Sequence, residues 1–413
     1  MFSYDVLFCF RAYNDIDNIV PVIYKLKSCS KNLAIKSIIY SAKYEARNNY
    51  LIRYLKSIGV PVNHIFHYSY IGETIFRIYF NFSKKVKELR RFVLLRKFIV
   101  RFILNRIDEK LNSIECDINS YKIIKKVFGN KRNGIVVFDH KFTEEYNQFC
   151  KSAKKRGLTS IALPHGVSLG IEESHTHPII GNRKPFFDYI VFSSGQEAKR
   201  FFGANYNQKK YVKIFGSARF SIEWISQLRT FLPQIDLPSK NNSIKIALMM
   251  SKPKTLKQDK IDETIAMLGQ IKEVCLLLKP HTRGMQYRSY LPDNVHIVDN
   301  NTPSSNIIDW ADVTLFTTSS IIFENILLDK PVLFLKYAVP HRDLIFERYV
   351  KTWSVKNINE LEKRINKFIQ KKNVRTYTEE ERKLLIKNYL EPEGNDVLGN
   401  YSRFLLDCLI NSK

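Results

Sequence analysis

Short apolar runs alternate with longer amphipathic stretches along the chain. Tyr4–Phe10, Ala34–Tyr40 and Val60–Phe66 read as three buried strands. Each is apolar at nearly every position, as expected of parallel strands covered on both faces. A long helical, basic region follows from about 70 to 128. Gly134–Phe138 then predicts a strand and Thr143–Arg156 a helix. Leu158–Leu163, Asp188–Phe192 and Tyr211–Phe215 continue the strand series. Pro233–Ser243 breaks the rhythm with two prolines and several polar residues, the composition of a linker. Beyond it strands are expected at Ile244–Met249, Val274–Leu278, Val295–Val298, Val313–Phe316 and Val332–Leu335. Helices fit Asp259–Lys272 and Ser320–Leu328.

This alternation predicts an α/β fold, two Rossmann-like parallel-sheet domains in tandem with C-terminal helices. The expected boundaries are 1–232 for an acceptor-binding domain, 233–243 for the linker and 244–375 for a nucleotide-donor domain. Residues 376–413 are read as helices that pack back on the first domain. The length of 413 residues fits two such units. No repeat at solenoid periods occurs.

Composition adds a strong bias. There are 66 Lys and Arg against 40 Asp and Glu, a net charge of +26. Such a surplus suits anionic lipid, nucleic acid or a phosphorylated substrate. It is densest from Lys84 to Arg106, where Lys84, Lys85, Arg90, Arg91, Arg96, Lys97 and Arg101 interleave with Phe92, Leu95, Ile99, Phe102 and Ile103 at helical spacing. A basic amphipathic helix of this kind reads as a membrane-surface element, and equally as a core helix with a solvated face.

The chain opens without a basic n-region, and no run of 18 residues is apolar and free of charge. Neither a signal peptide nor a transmembrane helix is therefore expected. The six cysteines form no CxxC pair, which excludes zinc-ribbon and thioredoxin-type sites and fits reduced thiols of a cytosolic protein. No GxGxxG and no P-loop occur. His175 and His177, beside Glu172 and Glu173, read as a polar loop rather than a metal site. The DxD of Asp15-Ile-Asp17 follows the first strand, where Asn14 or Asp15 serves as a helix N-cap.

Ligands of parallel sheets bind beyond the carboxyl ends of the strands, and three such ends are unusual. Leu163-Pro-His-Gly166 places His165 after a buried strand, as a general base or as a turn residue. Lys279-Pro-His-Thr-Arg283 sets Lys279, His281 and Arg283 where a phosphate or diphosphate can be held. Thr317-Thr-Ser-Ser320 joins a strand to a helix and offers hydroxyls and free N–H groups to an anion. Thr318, Ser319 and Ser320 are the candidates there, and Ser319 or Ser320 can cap the helix at the same time. Glu324, one turn on, can accept from a ribose hydroxyl.

The order His-Gly, Lys-Pro-His, Ser-Ser and Lys330-Pro331 resembles bacterial surface-polysaccharide transferases of the GT-B fold over roughly residues 135–335. The families are the CDP-glycerol glycerophosphotransferases, capsule sialyltransferases and Kdo transferases. The resemblance implies a nucleotide-sugar donor on the second domain, with His281, Ser319 and Ser320 at its phosphate. It implies a glycan or lipid-linked glycan acceptor on the first domain, with His165 as catalytic base. No cofactor and no metal are implied, and no nucleic-acid partner is expected. A cytoplasmic enzyme, peripheral on the inner face of the membrane, follows from the basic helix. The chain departs from the sialyltransferase pattern in having Pro280-His281-Thr282, and it lacks an acidic base motif followed by glycine. Asp139, Glu172 and Glu173 are therefore alternative bases. Two other classes compete: a UDP-N-acetylglucosamine 2-epimerase-like enzyme, and a non-enzymatic basic protein that binds membrane or nucleic acid. Ser319-Ser-Ile-Ile322, in place of a Ser-Gly pair, argues against the epimerase.

Overall fold

The structure, a computed structural model, describes residues 3–10, 13–39, 49–64, 120–140, 142–167, 185–238, 243–252, 255–281, 291–340, 344–371, 374–394 and 396–411. The basic segment at 84–106, together with Glu172, Glu173, His175, His177 and Arg283, lies outside these residues.

Two all-parallel sheets follow one another in sequence. The first is built from β1 (Val6–Phe10), β2 (Ile35–Ile39), β3 (Val62–His64), β4 (Ile135–Asp139), β5 (Thr159–Leu163), β6 (Tyr189–Phe192) and β7 (Val212–Ile214), in the order β3-β2-β1-β4-β5-β6-β7. The second holds β8 (Ile244–Met249), β9 (Val274–Lys279), β10 (Val295–Ile297), β11 (Val313–Phe316), β12 (Val332–Leu335) and β13 (Ser354–Val355), in the order β10-β9-β8-β11-β12-β13. Each sheet grows outward from its first strand in both directions. The order therefore reverses between β1 and β4, and again between β8 and β11. A crevice opens beyond the carboxyl ends at each reversal.

The unbroken apolar runs are explained by burial on both faces. In the first sheet Val6, Phe8, Ile135 and Val137 join one core, while Leu7, Cys9, Val136 and Phe138 join the opposite one. The second sheet divides the same way: Ala247, Met249 and Phe316 face one core, Ile246, Leu248 and Leu315 the other. A period of two sorts neighbouring residues to opposite faces. Burying each large side chain contributes about 1.5–3 kcal/mol.

The helices that matter for the site are α1 (Tyr13–Cys29), α2 (Tyr50–Ser57), α3 (Glu144–Lys154), α4 (Gly195–Phe202), α5 (Ile222–Arg229), α6 (Gln258–Gly269), α7 (Ser304–Trp310), α8 (Ile322–Leu327), α9 (Ile358–Gln370), α10 (Glu379–Tyr389) and α11 (Val397–Asn411). The chain passes between the sheets twice. The stretch after α5 is fastened to α7, with Asn306 Nδ2 donating to the Pro233 carbonyl and Trp310 Nε1 to that of Pro238, at 3.0 and 2.8 Å. The second passage returns to the first sheet. Ser217 N–H donates to the Leu390 carbonyl at 2.8 Å, and Tyr401 Oη donates to that of Gly216 at 2.8 Å. Gly216 has φ +97°, and an added Cβ would collide with the Leu390 carbonyl. Val397, Leu398, Tyr401 and Leu405 of α11 then complete the core on the α1 side of the first sheet.

No described helix is long and apolar enough to cross a membrane.

Candidate functional site

The crevice of the first sheet is centred on His165. Its ring Nδ1 lies 2.6 Å from Asp15 Oδ1 and 2.8 Å from Asp139 Oδ2. Asp139 ends β4, and Asp15 lies in the first turn of α1, so the strand order brings both acids to the loop after β5. Both carboxylates are fully buried, whereas the imidazole is 23% exposed. Nδ1 carries one hydrogen at most. One carboxylate can accept it, and the other faces the charge of the ring. Nε2 is the ring nitrogen that these two acids do not engage. Asn18, one turn beyond Asp15, donates from Nδ2 to the His165 carbonyl at 3.1 Å. Gly166 has φ +143°, a conformation that side chains avoid.

Burial disfavours the imidazolium, but hydrogen bonds and charge from Asp139 and Asp15 outweigh it, and the His165 pKa is raised. The Tyr146 hydroxyl is buried near Asp139. Burial, reinforced by the Asp139 and Asp15 charges, holds its pKa well above the usual value. A second buried pair lies behind: His140 Nε2 is 3.5 Å from Glu197 Oε1. Burial pushes Glu197 up to about 7, against the Ser193 N–H that favours its charged form.

The ligand atoms of Asp15, Asp139 and His165 lie within 4.8 Å of one another, close enough to consider a cation. The distances from Nδ1 lie in the hydrogen-bond range, although Nδ1 is aligned for a hydrogen bond with neither acid. Two ligands sharing one ion at bond lengths of ~2.0–2.2 Å stand ~3 Å or more apart. The set fits a histidine oriented by carboxylates better than a metal centre.

The crevice of the second sheet is built from neutral hydroxyls. Thr317 Oγ1 donates to Ser251 Oγ at 2.7 Å, and Thr318 N–H donates to the same oxygen at 2.8 Å. Thr255 and Thr318 hydroxyls lie 3.2 Å apart. Ser251 follows β8 and Thr317 follows β11, the two strands at the reversal. Helix α8 starts after Ile321, with no side-chain cap. Ser319 Oγ accepts from the Ile321 N–H at 3.5 Å at the entry to the helix, while Ser251 ties back the preceding Thr317 and Thr318.

The two crevices are joined by apolar packing. Val167, two residues past His165, belongs to the same cluster as Ile321, Ile322 and Phe323. Phe220 lies against Phe323 with centroids 5.7 Å apart.

The other expected donor residues are placed less simply. Lys279 ends β9 with its ammonium donating to the Pro280 and Asn300 carbonyls, at 3.1 and 2.6 Å. Burial brings its pKa down to about 8. His281 follows at the same strand end, half-buried. Glu324 is buried, accepts from Ser305 Oγ at 3.0 Å and lies 3.1 Å from Arg229 NH2. Burial raises its pKa, partly offset by the Arg229 charge. Arg229 also binds Asp309 at 2.7 Å and so ties α5 to α7 and α8.

Asp15 as an N-cap is corrected. The helix begins at Tyr13, so Asp15 sits inside its first turn with its carboxylate on His165. The spacing of the DxD after β1 was the signal. Ser251, Thr255 and Asn18 were missed as well. Ser251 could have been found as the polar residue ending the first strand of the second sheet.

No protein-family model matches the chain, and no curated protein matches it. Solved structures do. A UDP-GlcNAc 2-epimerase from Neisseria meningitidis bound to UDP-GlcNAc is 11% identical with a TM-score of 0.56, covering 98% of this chain and 99% of that one. Another UDP-N-acetylglucosamine 2-epimerase is 13% identical with a TM-score of 0.57, covering 99% and 96%. The wall teichoic acid polymerase TagF is 12% identical with a TM-score of 0.54, covering 98% and 89%. At these identities the likeness establishes the fold: two Rossmann-like domains in the GT-B arrangement.

Proposed function

We propose that the chain is a transferase that moves a sugar or polyol phosphate from a nucleotide-activated donor to a hydroxyl of a bacterial surface glycan. The observation that carries this reading is His165, partly exposed and set with Nδ1 against two buried carboxylates, which leaves Nε2 unengaged by either. In this reading Nε2 removes the acceptor proton, and Asp15 and Asp139 stabilise the imidazolium that forms. The hydroxyl loop of the second sheet, with His281, receives the donor phosphate and stabilises the charge that develops as the nucleotide leaves. The basic segment at 84–106 would hold the enzyme against an anionic membrane carrying a lipid-linked acceptor.

The test is transfer from CDP-glycerol, CMP-sugar and UDP-sugar donors to a lipid-linked acceptor, with products read by mass spectrometry. The expected result is transfer from one donor class, lost in His165→Ala. Nucleotide release without any transferred group would sink the reading.

The likeness to epimerases supports a second reading, an enzyme that epimerises UDP-N-acetylglucosamine. Incubation with that compound alone separates the two, because an epimerase converts it with no acceptor present.

A further inference from the structure

Asp15 and Asp139 are buried in the first crevice, and Asp17 is buried on the same helix as Asp15. An anionic donor brought against them needs positive charge close by. Lys279 is turned to two backbone carbonyls and Arg229 to Asp309 and Glu324. Arg219 stands in a different place. Its NH1 lies 3.2 Å from Asp17 Oδ2, and a quarter of its side chain, 25%, is exposed. Its guanidinium lies 5.0 Å from the centre of the Phe220 ring, and Phe220 leans on Phe323 of α8. The Arg219 charge also favours ionised Glu324, the residue next to Phe323. One guanidinium is thus felt by an acid of each half: Asp17, two residues past Asp15, and Glu324, four residues past Ser320.

We propose that Arg219 binds the phosphate of the donor between the two sheets, exchanging Asp17 for the phosphate oxygens as the ligand arrives. This rests on the nucleotide-donor reading above. A guanidinium is charged at every relevant pH, and its forked donors match phosphate geometry. Asp17 is a partner that gives way readily, since burial already works against its charge. Arg219 would then supply the cation that Lys279, held by carbonyls, does not bring to the crevice.

The experiment is calorimetric titration of the full chain with CDP, UDP, the corresponding nucleosides and inorganic pyrophosphate. Arg219→Gln is expected to weaken diphosphate and pyrophosphate binding by ~10-fold or more and to leave nucleoside binding unchanged. Asp17→Asn is expected to tighten diphosphate binding, because it releases the arginine. A folded Arg219→Gln that binds diphosphates as well as the wild type overturns the proposal. So does an Asp17→Asn that binds them more weakly. Should Arg219→Gln fail to fold, Asp17→Asn decides, since it keeps the arginine. Wild-type binding of pyrophosphate through Arg219 without any nucleotide would overturn the donor reading and leave the anion site standing. Wild-type binding of neither overturns both.

Discussion

The two halves share one strand order and use it for opposite chemistry. At the reversal of the first sheet the strand ends supply titratable groups: Asp139 after β4, His165 after β5 and Asp15 at the start of α1. At the reversal of the second they supply hydroxyls: Ser251 after β8, Thr317 and Thr318 after β11. The first crevice gathers groups that can hold a proton. The second offers neutral donors, which suit an anion without competing for protons. Topology chooses where a ligand sits, and a few residues past each strand choose what is done there.

The sharpest way to break this comparison is His165→Ala. Loss of the base should lower transfer by about 10²–10⁴-fold while the nucleotide-induced rise in melting temperature persists. If both vanish together, the division of labour is wrong.

Asp139→Asn and Asp15→Asn should reduce transfer by about tenfold or more and also move its pH dependence. The base must be neutral, so wild-type activity should rise with pH through a His165 pKa that lies above 6.5. Removing either carboxylate should shift this limb toward acid. Stability follows the opposite course. A raised histidine pKa stabilises the fold fully below about 6.5, and that contribution is lost as pH rises through the folded value. Melting temperature should fall across this window in the wild type, and less steeply in Asp139→Asn.

Ser251→Ala tests the second crevice. It removes the oxygen that accepts from Thr317 and from the Thr318 N–H. A loss of about 1–3 kcal/mol in denaturant midpoints is expected, together with a smaller nucleotide-induced shift and no change in the pH limb. Movement of that limb would show that the crevices are not independent.

The smallest effect should come from Arg229→Ala, which removes the tie between α5 and Glu324. Glu324 keeps Ser305, and burial already favours its protonated form. A cost of about 1 kcal/mol is expected from chemical denaturation. A much larger cost would mean that the tie, rather than the apolar contact of Phe220 with Phe323, holds the halves together.

Much of this was legible in the residues. Strands buried on both faces must be apolar throughout, so β1, β4 and β9 stand out, and His165 and Asp139 are visible as polar residues ending such runs. Asp15 was not, because a DxD at a helix start has a good local explanation. Its role depends on a loop almost the length of the sheet away in sequence, which no local pattern encodes. The same holds for Arg229 and Arg219, whose partners come from other elements. Lys279 is legible as a polar residue at a strand end, but its acceptors, the Pro280 and Asn300 carbonyls, are not.

The return of α11 to the first sheet bears on how the chain is made. Val397, Leu398, Tyr401 and Leu405 close a core that contains β1 and α1, yet they are translated after every strand of the second sheet. The α1 side of the first half therefore lacks one wall of its core as it emerges from the ribosome, until α11 arrives. Contacts this distant in sequence form slowly. Assembly from the amino end onward is ruled out as a complete route, and the half translated first is the last to be finished.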